Sequence, residues 1–590
     1  MRRILFFASL LLFQYTHAQQ IAFERDSNTT TTYDETIAFY QKLDKKYAAC
    51  TLLTYGSTDS GKPLHVFVLN KEGQFNPQQL HQQHKTILLI NNGIHPGEPE
   101  GIDASMMLAR DLLEKNNLPR NAVVCIIPVY NVGGMLNRGA SRVNQNGPEA
   151  YGFRGNARNL DLNRDFIKTD SRNTRSFQEI FHTWKPDIFM DTHTSNGADY
   201  QYVMTLIETQ TDKLHPVLGD FAPTFTSELY NRMQKSNFGM VPYVNFRGSN
   251  PESGLVAFLE TPRYSTGYAA LHHTIGYMPE THMWKPYPQR VHSTYEILRH
   301  FISVADERAA EIHDRRQLAL EQSKTQKQFV LTWKLDTIAH RQISFKGYKS
   351  GEKLSDVSGF PRQYYDRNKP FTKGIPYYNR YKPDIVVEKP YAYVIPQAWQ
   401  EVVDLLIING ITVNKLKKDT LLTLQMYYIT DYQTGRGPYE GHYLHSNIKV
   451  RPEVQQIQCY VGDYMVITNQ SGNRYILETL EPQAADSFFS WNFFDSILSQ
   501  KEYFSAYIFE DEAFRMLNKD LELKKQFEQA KTTDEELRNN GRAQLDWIYK
   551  HSAHYEKTHL RYPVGRLLEH SPRPTRFTCS SARTVSSVFE

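Results

Sequence analysis

A set of polar residues spread over about two hundred positions falls, one after another, where runs of strand-forming residues end. His95 and Glu98 stand in Asn92-Gly93-Ile94-His95-Pro96-Gly97-Glu98, and Arg154 precedes Asp161-Leu162-Asn163-Arg164-Asp165. His193 closes Asp191-Thr192-His193, and Glu280 lies in Pro279-Glu280-Thr281-His282. Two imidazoles and a carboxylate suit a catalytic zinc with an open coordination position, and a further carboxylate suits the base for a metal-bound water. A His and a Glu three residues apart reach one metal from a single turn, and Pro96-Gly97 lets the loop bend before a helix begins. The pair alone is weak evidence, because a chain with 21 His yields His-x-x-Glu about once by chance. Its place between a buried strand and a helix gives it weight, and His193 supplies a third ligand. Asp191, two residues earlier, and Asp161 are placed to orient the imidazoles through their second nitrogens.

The elements that must position these residues alternate in kind. Lys85 to Ile90 reads as a buried strand, Pro99 to Glu114 as the helix after it, and Ala122 to Pro128 and Pro186 to Met190 as further strands. That alternation is the pattern of an α/β domain with a covered sheet. In such sheets ligands bind outside the carboxyl ends of strands, and His95, Asn131 and His193 all follow such ends. Arg290 to Lys324 has neither Gly nor Pro and reads as one long helix closing the first domain near residue 326. Beyond it the texture turns Tyr- and Pro-rich with alternating segments, Thr420 to Ile429 and Gln455 to Thr468 among them, which implies a second, mixed but β-rich domain over 327–566. Within it Ala398 to Asn409 reads as a helix ended by Gly410, and Glu510 to Lys531 as a charged helix. Residues 567–590 read as a disordered tail.

Composition narrows the function classes. A net charge of +4 with mixed signs suggests neither a nucleic-acid groove nor a polybasic membrane patch. Met1-Arg2-Arg3, the apolar run Ile4 to Phe13 and Thr16-His17-Ala18 have the form of a cleaved signal peptide over 1–18, so the mature chain is expected to begin at Gln19 and to be exported, periplasmic or extracellular. No other stretch has the apolar length of a membrane span. Cys50, Cys125, Cys459 and Cys579 show no paired spacing, which argues against a disulfide framework or a Cys-based zinc site.

Gly93-Ile94-His95-Pro96-Gly97-Glu98, Arg154, Leu160 to Phe166 and Asp191-Thr192-His193, in this order, resemble the zinc carboxypeptidase family, the M14 metallopeptidases. Thr31 to Glu35 and Tyr55 to Leu64 resemble the same family's entry segment, so the resemblance covers roughly residues 30 to 310. It implies an α/β fold with a mixed central sheet covered by helices, over 19–326, and one zinc per chain held by His95, Glu98 and His193. By the same resemblance Arg154 polarises the scissile carbonyl, and Asn163 and Arg164 grip the substrate's terminal carboxylate. Glu280 is the expected base, with Glu260 a rival at the end of another apolar strand. A tyrosine on a mobile loop is expected to close over substrate; Tyr268 is chosen, with Tyr264 the other candidate. His272, His273 and His282 are read as structural, and His442 and His445 as loop residues.

The activity implied is release of carboxyl-terminal residues from peptides. An alternative on the same zinc site is hydrolysis of peptidoglycan stem peptides or deacylation of a small substrate. A reading from another class is an inactive peptide- or glycan-binding protein.

Overall fold

The computed structural model describes residues 20–569, so the expected signal peptide and most of the expected tail lie outside the described residues. The N-terminal half contributes β1 (Cys50–Ser57), β2 (Pro63–Leu69), β3 (Thr86–Asn91), β4 (Ala122–Ile127), β5 (Ile188–Asp191), β6 (His193–Ser195), β7 (Met204–Glu208), β8 (Val241–Pro242), β9 (Leu255–Val256) and β10 (Ile275–His282). All but β9 form one sheet in the order β1-β2-β4-β3-β5-β10-β7-β8, with β6 paired to β10. Strands β4, β3, β5 and β10 run parallel, whereas β2 and β7 flank them antiparallel. The sheet is therefore mixed, as expected.

β3 reads Thr-Ile-Leu-Leu-Ile-Asn without alternation because both of its faces are covered. Leu88 and Ile90 pack with Ile102 and Phe301 from the helices Glu100–Glu114 and Tyr287–Glu307. Ile87 and Leu89 pack on the other face with Phe177, Phe181 and Trp184 of the helix Arg172–Trp184. Each such fully buried side chain stabilises the fold by about 1.5–3 kcal/mol relative to exposure. The expected single helix from Arg290 to Lys324 is two, Tyr287–Glu307 and Ala309–Thr325. They part at Arg308, which leaves helical geometry (φ −109°, ψ 16°) and pairs with Glu228 and Glu311.

The C-terminal half adds β11 (Gln328–Leu335), β12 (Arg341–Leu354), β13 (Pro361–Tyr378), β14 (Tyr381–Glu388), β15 (Ala392–Ile395), β16 (Asn414–Lys415), β17 (Thr420–Thr434), β18 (His445–Cys459), β19 (Tyr464–Ile467) and β20 (Gly565–Leu567). Six of these form the sheet β16-β19-β15-β20-β17-β18. The alternating segment from Gln455 to Thr468 is divided between β18 and β19 by a turn at Gly462 (φ 98°). Leu567, placed at the head of the tail by sequence, is fully buried and pairs with Ala392. The expected helix from Glu510 to Lys531 is two, Ala506–Lys519 and Leu521–Thr533, because the Asp520 carboxylate accepts from the Glu522 and Leu523 amides and starts a new helix.

One of the large core clusters spans both halves. Val402, Leu405 and Leu406 of the helix Gln400–Ile408 share a cluster with Phe181, Trp184 and Tyr268. The β12–β13 hairpin also pairs with β9, Tyr377 against Leu255 and Tyr378 against Val256. Cys50, Cys125 and Cys459 are buried and unpaired. No helix among the described residues is long and apolar enough to cross a membrane.

Candidate metal centre and substrate cleft

His95 follows the carboxyl end of β3, and the Glu98 amide turns back to the His95 carbonyl at 2.8 Å, so both side chains leave one tight turn. His193 opens β6, whose neighbour β10 brings Glu280 into register directly opposite it. His95, Glu98 and His193 are all buried, and their ligand atoms lie within 4.8 Å of one another. His95 Nδ1 is 3.2 Å from Glu98 Oε1, and His193 Nδ1 is 3.1 Å from Glu98 Oε2.

Each imidazole is held from behind. His95 Nε2 lies 2.9 Å from Asp161 Oδ1, and His193 Nε2 lies 3.0 Å from Asp191 Oδ2. An Nε2–H donated to a carboxylate leaves the lone pair on Nδ1, facing the centre. Asp191 is fixed in turn by the Asn91 amide at 2.9 Å and the Ser265 hydroxyl at 2.5 Å. Burial works against a charged His193, yet Asp191, Glu98 and Glu280 prevail and raise its proton affinity well above the ordinary histidine value. The same negative surroundings make Nδ1 a strong donor to a cation. Burial likewise opposes ionisation of Glu98, but His95, Arg142 and His193 hold its carboxyl well below the usual range. Two imidazole nitrogens and a carboxylate, about 3 Å apart, form a donor set that zinc accepts with bonds of about 2.0–2.2 Å, and the fit is good.

Arg154 grips Asp161 through Nη2 at 2.8 Å and Nε at 3.0 Å, which leaves Nη1 3.3 Å from His95 Nδ1 and 3.6 Å from Glu98 Oε1. A fixed guanidinium thus faces the ligand atoms. Asn131 sets its backbone by donating to the Arg154 carbonyl at 2.9 Å. Asn163 is buried, and its side-chain oxygen accepts from the Ser265 amide at 3.0 Å. Arg164 lies over the Tyr264 ring, 4.4 Å from its centroid, bonds the Asn163 carbonyl through Nη1 at 2.7 Å, and has no hydrogen-bond partner for Nη2 among the described residues.

The two rival carboxylates separate clearly. Glu280 is buried among His193, Glu98, Arg154 and Asp191; burial, partly offset by His193, pushes its carboxyl up to about 8. Glu260 is also pushed up to about 8 by burial, but its neighbours are Lys213 and Glu208. Tyr268 is not on a mobile loop, which corrects the expectation for it. It lies in the short helix Ser265–Leu271, fully buried between Phe166 and Phe181, with its hydroxyl 2.6 Å from Asn409 Oδ1 and 3.1 Å from His182 Nε2. Tyr264, the other candidate, lies against Arg164 at the cleft.

Three contributors escaped the sequence reading. Arg142 donates to Glu98 Oε1 at 3.0 Å, and its guanidinium fills the space over Gly97, where an added Cβ would lie 3.1 Å from Arg142 Nε. Tyr439 and Glu440, from the C-terminal half, bond Arg164 and the Asp161 amide. No local motif marks any of them. His442 and His445 pair with Asp170 and Asp495, and His282 with the Ala198 carbonyl, all consistent with structural roles. A second group of potential ligands, His81, Asp187 and His313, lies elsewhere; there His81 Nε2 meets the Trp184 carbonyl at 2.9 Å rather than a carboxylate, and Arg316 Nη1 is 3.5 Å from Asp187 Oδ1.

Residues 36–210 match the family model described as zinc carboxypeptidase. Carboxypeptidase 2 of Trichophyton rubrum is 21% identical over 421 residues, covering 68% of this chain and 73% of its own length. Carboxypeptidase 2 of Trichophyton equinum is 20% identical over 507 residues, covering 81% and 88%. Among solved structures, a metallo-carboxypeptidase from Pseudomonas aeruginosa in complex with (2-guanidinoethylmercapto)succinic acid aligns at 13% identity over 47% of this chain and 68% of its own, with a TM-score of 0.35.

Proposed function

Through residues 36–210 the chain belongs to the zinc carboxypeptidase (M14) metallopeptidases, and from that premise we propose that it removes single residues from the carboxyl ends of peptides. The observation that carries this reading is the convergence of His95 Nδ1, Glu98 and His193 Nδ1, each imidazole backed by its own aspartate. These three residues would hold the zinc, which when bound polarises the scissile carbonyl and acidifies the attacking water.

The remaining steps belong to side chains. Arg164 and Asn163 hold the terminal carboxylate: Nη2 of Arg164 is open to it, and the stack on Tyr264 fixes the plane of the guanidinium. Arg154, anchored on Asp161, places a cation beside the ligand atoms, where negative charge develops on the carbonyl oxygen. Glu280, in the ionised form that a cation held by His95, Glu98 and His193 would favour, takes the proton of the attacking water and delivers it to the leaving amine; its burial excludes bulk water from that transfer. Export through residues 1–18 belongs to the same proposal, and finding Gln19 at the amino terminus of the secreted chain tests it.

The function is tested by mass spectrometry of a mixed peptide set incubated with residues 19–590 and zinc, with Glu280→Gln as control. A ladder of single-residue losses from carboxyl ends, absent in the control, is expected. Internal cleavage, or intact peptides, would refute the reading.

A further inference from the structure

The turn Tyr439-Glu440-Gly441-His442 brings the C-terminal half to the cleft. Tyr439 and His442 pair across it, N to O at 2.7 Å and 3.1 Å, and both central residues have positive φ, Glu440 at 51° and Gly441 at 85°. This is a two-residue hairpin turn whose first central position favours Asn, Asp or Gly. A glutamate held there is strained, and such strain persists only where surrounding contacts enforce it. The enforcing contact is visible: Glu440 Oε2 accepts from the Asp161 amide at 2.7 Å. Asp161 is the carboxylate that orients His95 and anchors Arg154.

The neighbouring residue acts on the other end of the cleft. The Tyr439 hydroxyl accepts from Arg164 Nε at 2.8 Å. With Nε engaged there and Nη1 on the Asn163 carbonyl, the guanidinium is fixed with its Nη2 edge free. The turn itself is locked into both halves. The Tyr439 ring stacks on Trp491 with centroids 6.2 Å apart, Arg263 lies over Trp491 at 5.0 Å, and His442 Nε2 bonds Asp170 at 2.9 Å.

We infer that the Tyr439–His442 turn is a built part of the peptidase site, in which Tyr439 positions Arg164 for a free α-carboxylate and Glu440 positions Asp161 behind His95. The inference rests on the carboxypeptidase reading and deepens it, since it gives the C-terminal half a role in recognising peptides with a free carboxyl end. Both residues are positioning residues: neither touches the scissile bond, and each works through a group that does.

The test is steady-state kinetics of the full-length zinc protein on one short peptide. Tyr439→Phe keeps the ring stack and removes only the hydroxyl, so KM rises about tenfold, the loss of one hydrogen bond to a charged group, while kcat falls less than about threefold. Glu440→Ala lowers zinc affinity about tenfold or more by loosening Asp161, and Glu440→Gln, whose amide oxygen accepts the same N–H, restores most of it. The Glu440 pair, read by zinc titration, carries the test if Tyr439→Phe fails to fold. Unchanged KM in Tyr439→Phe, or equal zinc affinity in Glu440→Ala and wild type, would overturn the inference. A wild-type protein that trims no peptide would instead defeat the carboxypeptidase reading on which it rests.

Discussion

One sheet carries two clusters of the same residue types, two histidines and an acid, at opposite ends of its central strands. His95, Glu98 and His193 gather at the carboxyl ends of β3 and β5, whereas Asp187 stands before β5 with His81 and His313 beside it, accepting from the Ile87 amide near the start of β3. The inventories match, but the surroundings differ. At the first cluster both Nε2 atoms are taken by carboxylates, which turns both Nδ1 lone pairs inward. At the second, His81 Nε2 meets the Trp184 carbonyl in place of a carboxylate, and His313 Nδ1 stands 4.0 Å from Asp187 Oδ1. The difference teaches that what stands behind the ligands makes a metal site, more than the ligands themselves.

The largest expected effect sharpens the contrast between the two buried carboxylates. Glu280→Gln lowers kcat by about a thousandfold, within the range for a lost general base, and leaves bound metal unchanged. Glu260→Gln shifts the melting temperature and leaves kcat alone; a large kcat loss there would move the base to Glu260. Next, Asp161→Asn weakens metal binding by about 10–100-fold in a zinc titration. Asp187→Asn leaves metal content as it was and destabilises the fold by about 3–5 kcal/mol, because Arg316 remains buried without its partner, and denaturant melts read that loss. Arg164→Lys gives up the planar fork stacked on Tyr264, so KM rises about tenfold in the peptide assay. The smallest effect is at Tyr268→Phe, which loses its hydrogen bonds to Asn409 and His182 and about 1 kcal/mol of stability, with kinetics unchanged.

What the sequence revealed and what it hid divide along the same lines. His95, Glu98, Asp191 and His193 stand in short motifs at strand ends, and Asn163 and Arg164 in the single helical turn Leu162–Arg164; residue types, spacing and the family resemblance together were enough to group them and to name Asp161 and Asp191 as supports. The central strands were equally legible, because a fully buried strand is an unbroken apolar run. Helix breaks at Arg308 and Asp520 were not, since each turns on the contacts of one side chain. Tyr268 was misread because its ring packs between Phe166 and Phe181 and its hydroxyl bonds Asn409, 141 positions away. Arg142 arrives at Glu98 from 44 residues off, and Tyr439 and Glu440 from 275 and 279. Contacts of that span leave no periodic or local trace in a single chain.

The central claim, that the first cluster and not the second holds the metal, is tested most directly by zinc stoichiometry at equilibrium in wild type, His193→Ala and His313→Gln. One zinc per chain in wild type and in His313→Gln, and none in His193→Ala, is the predicted result. Two per chain in wild type, or loss of the metal in His313→Gln with retention in His193→Ala, would contradict it.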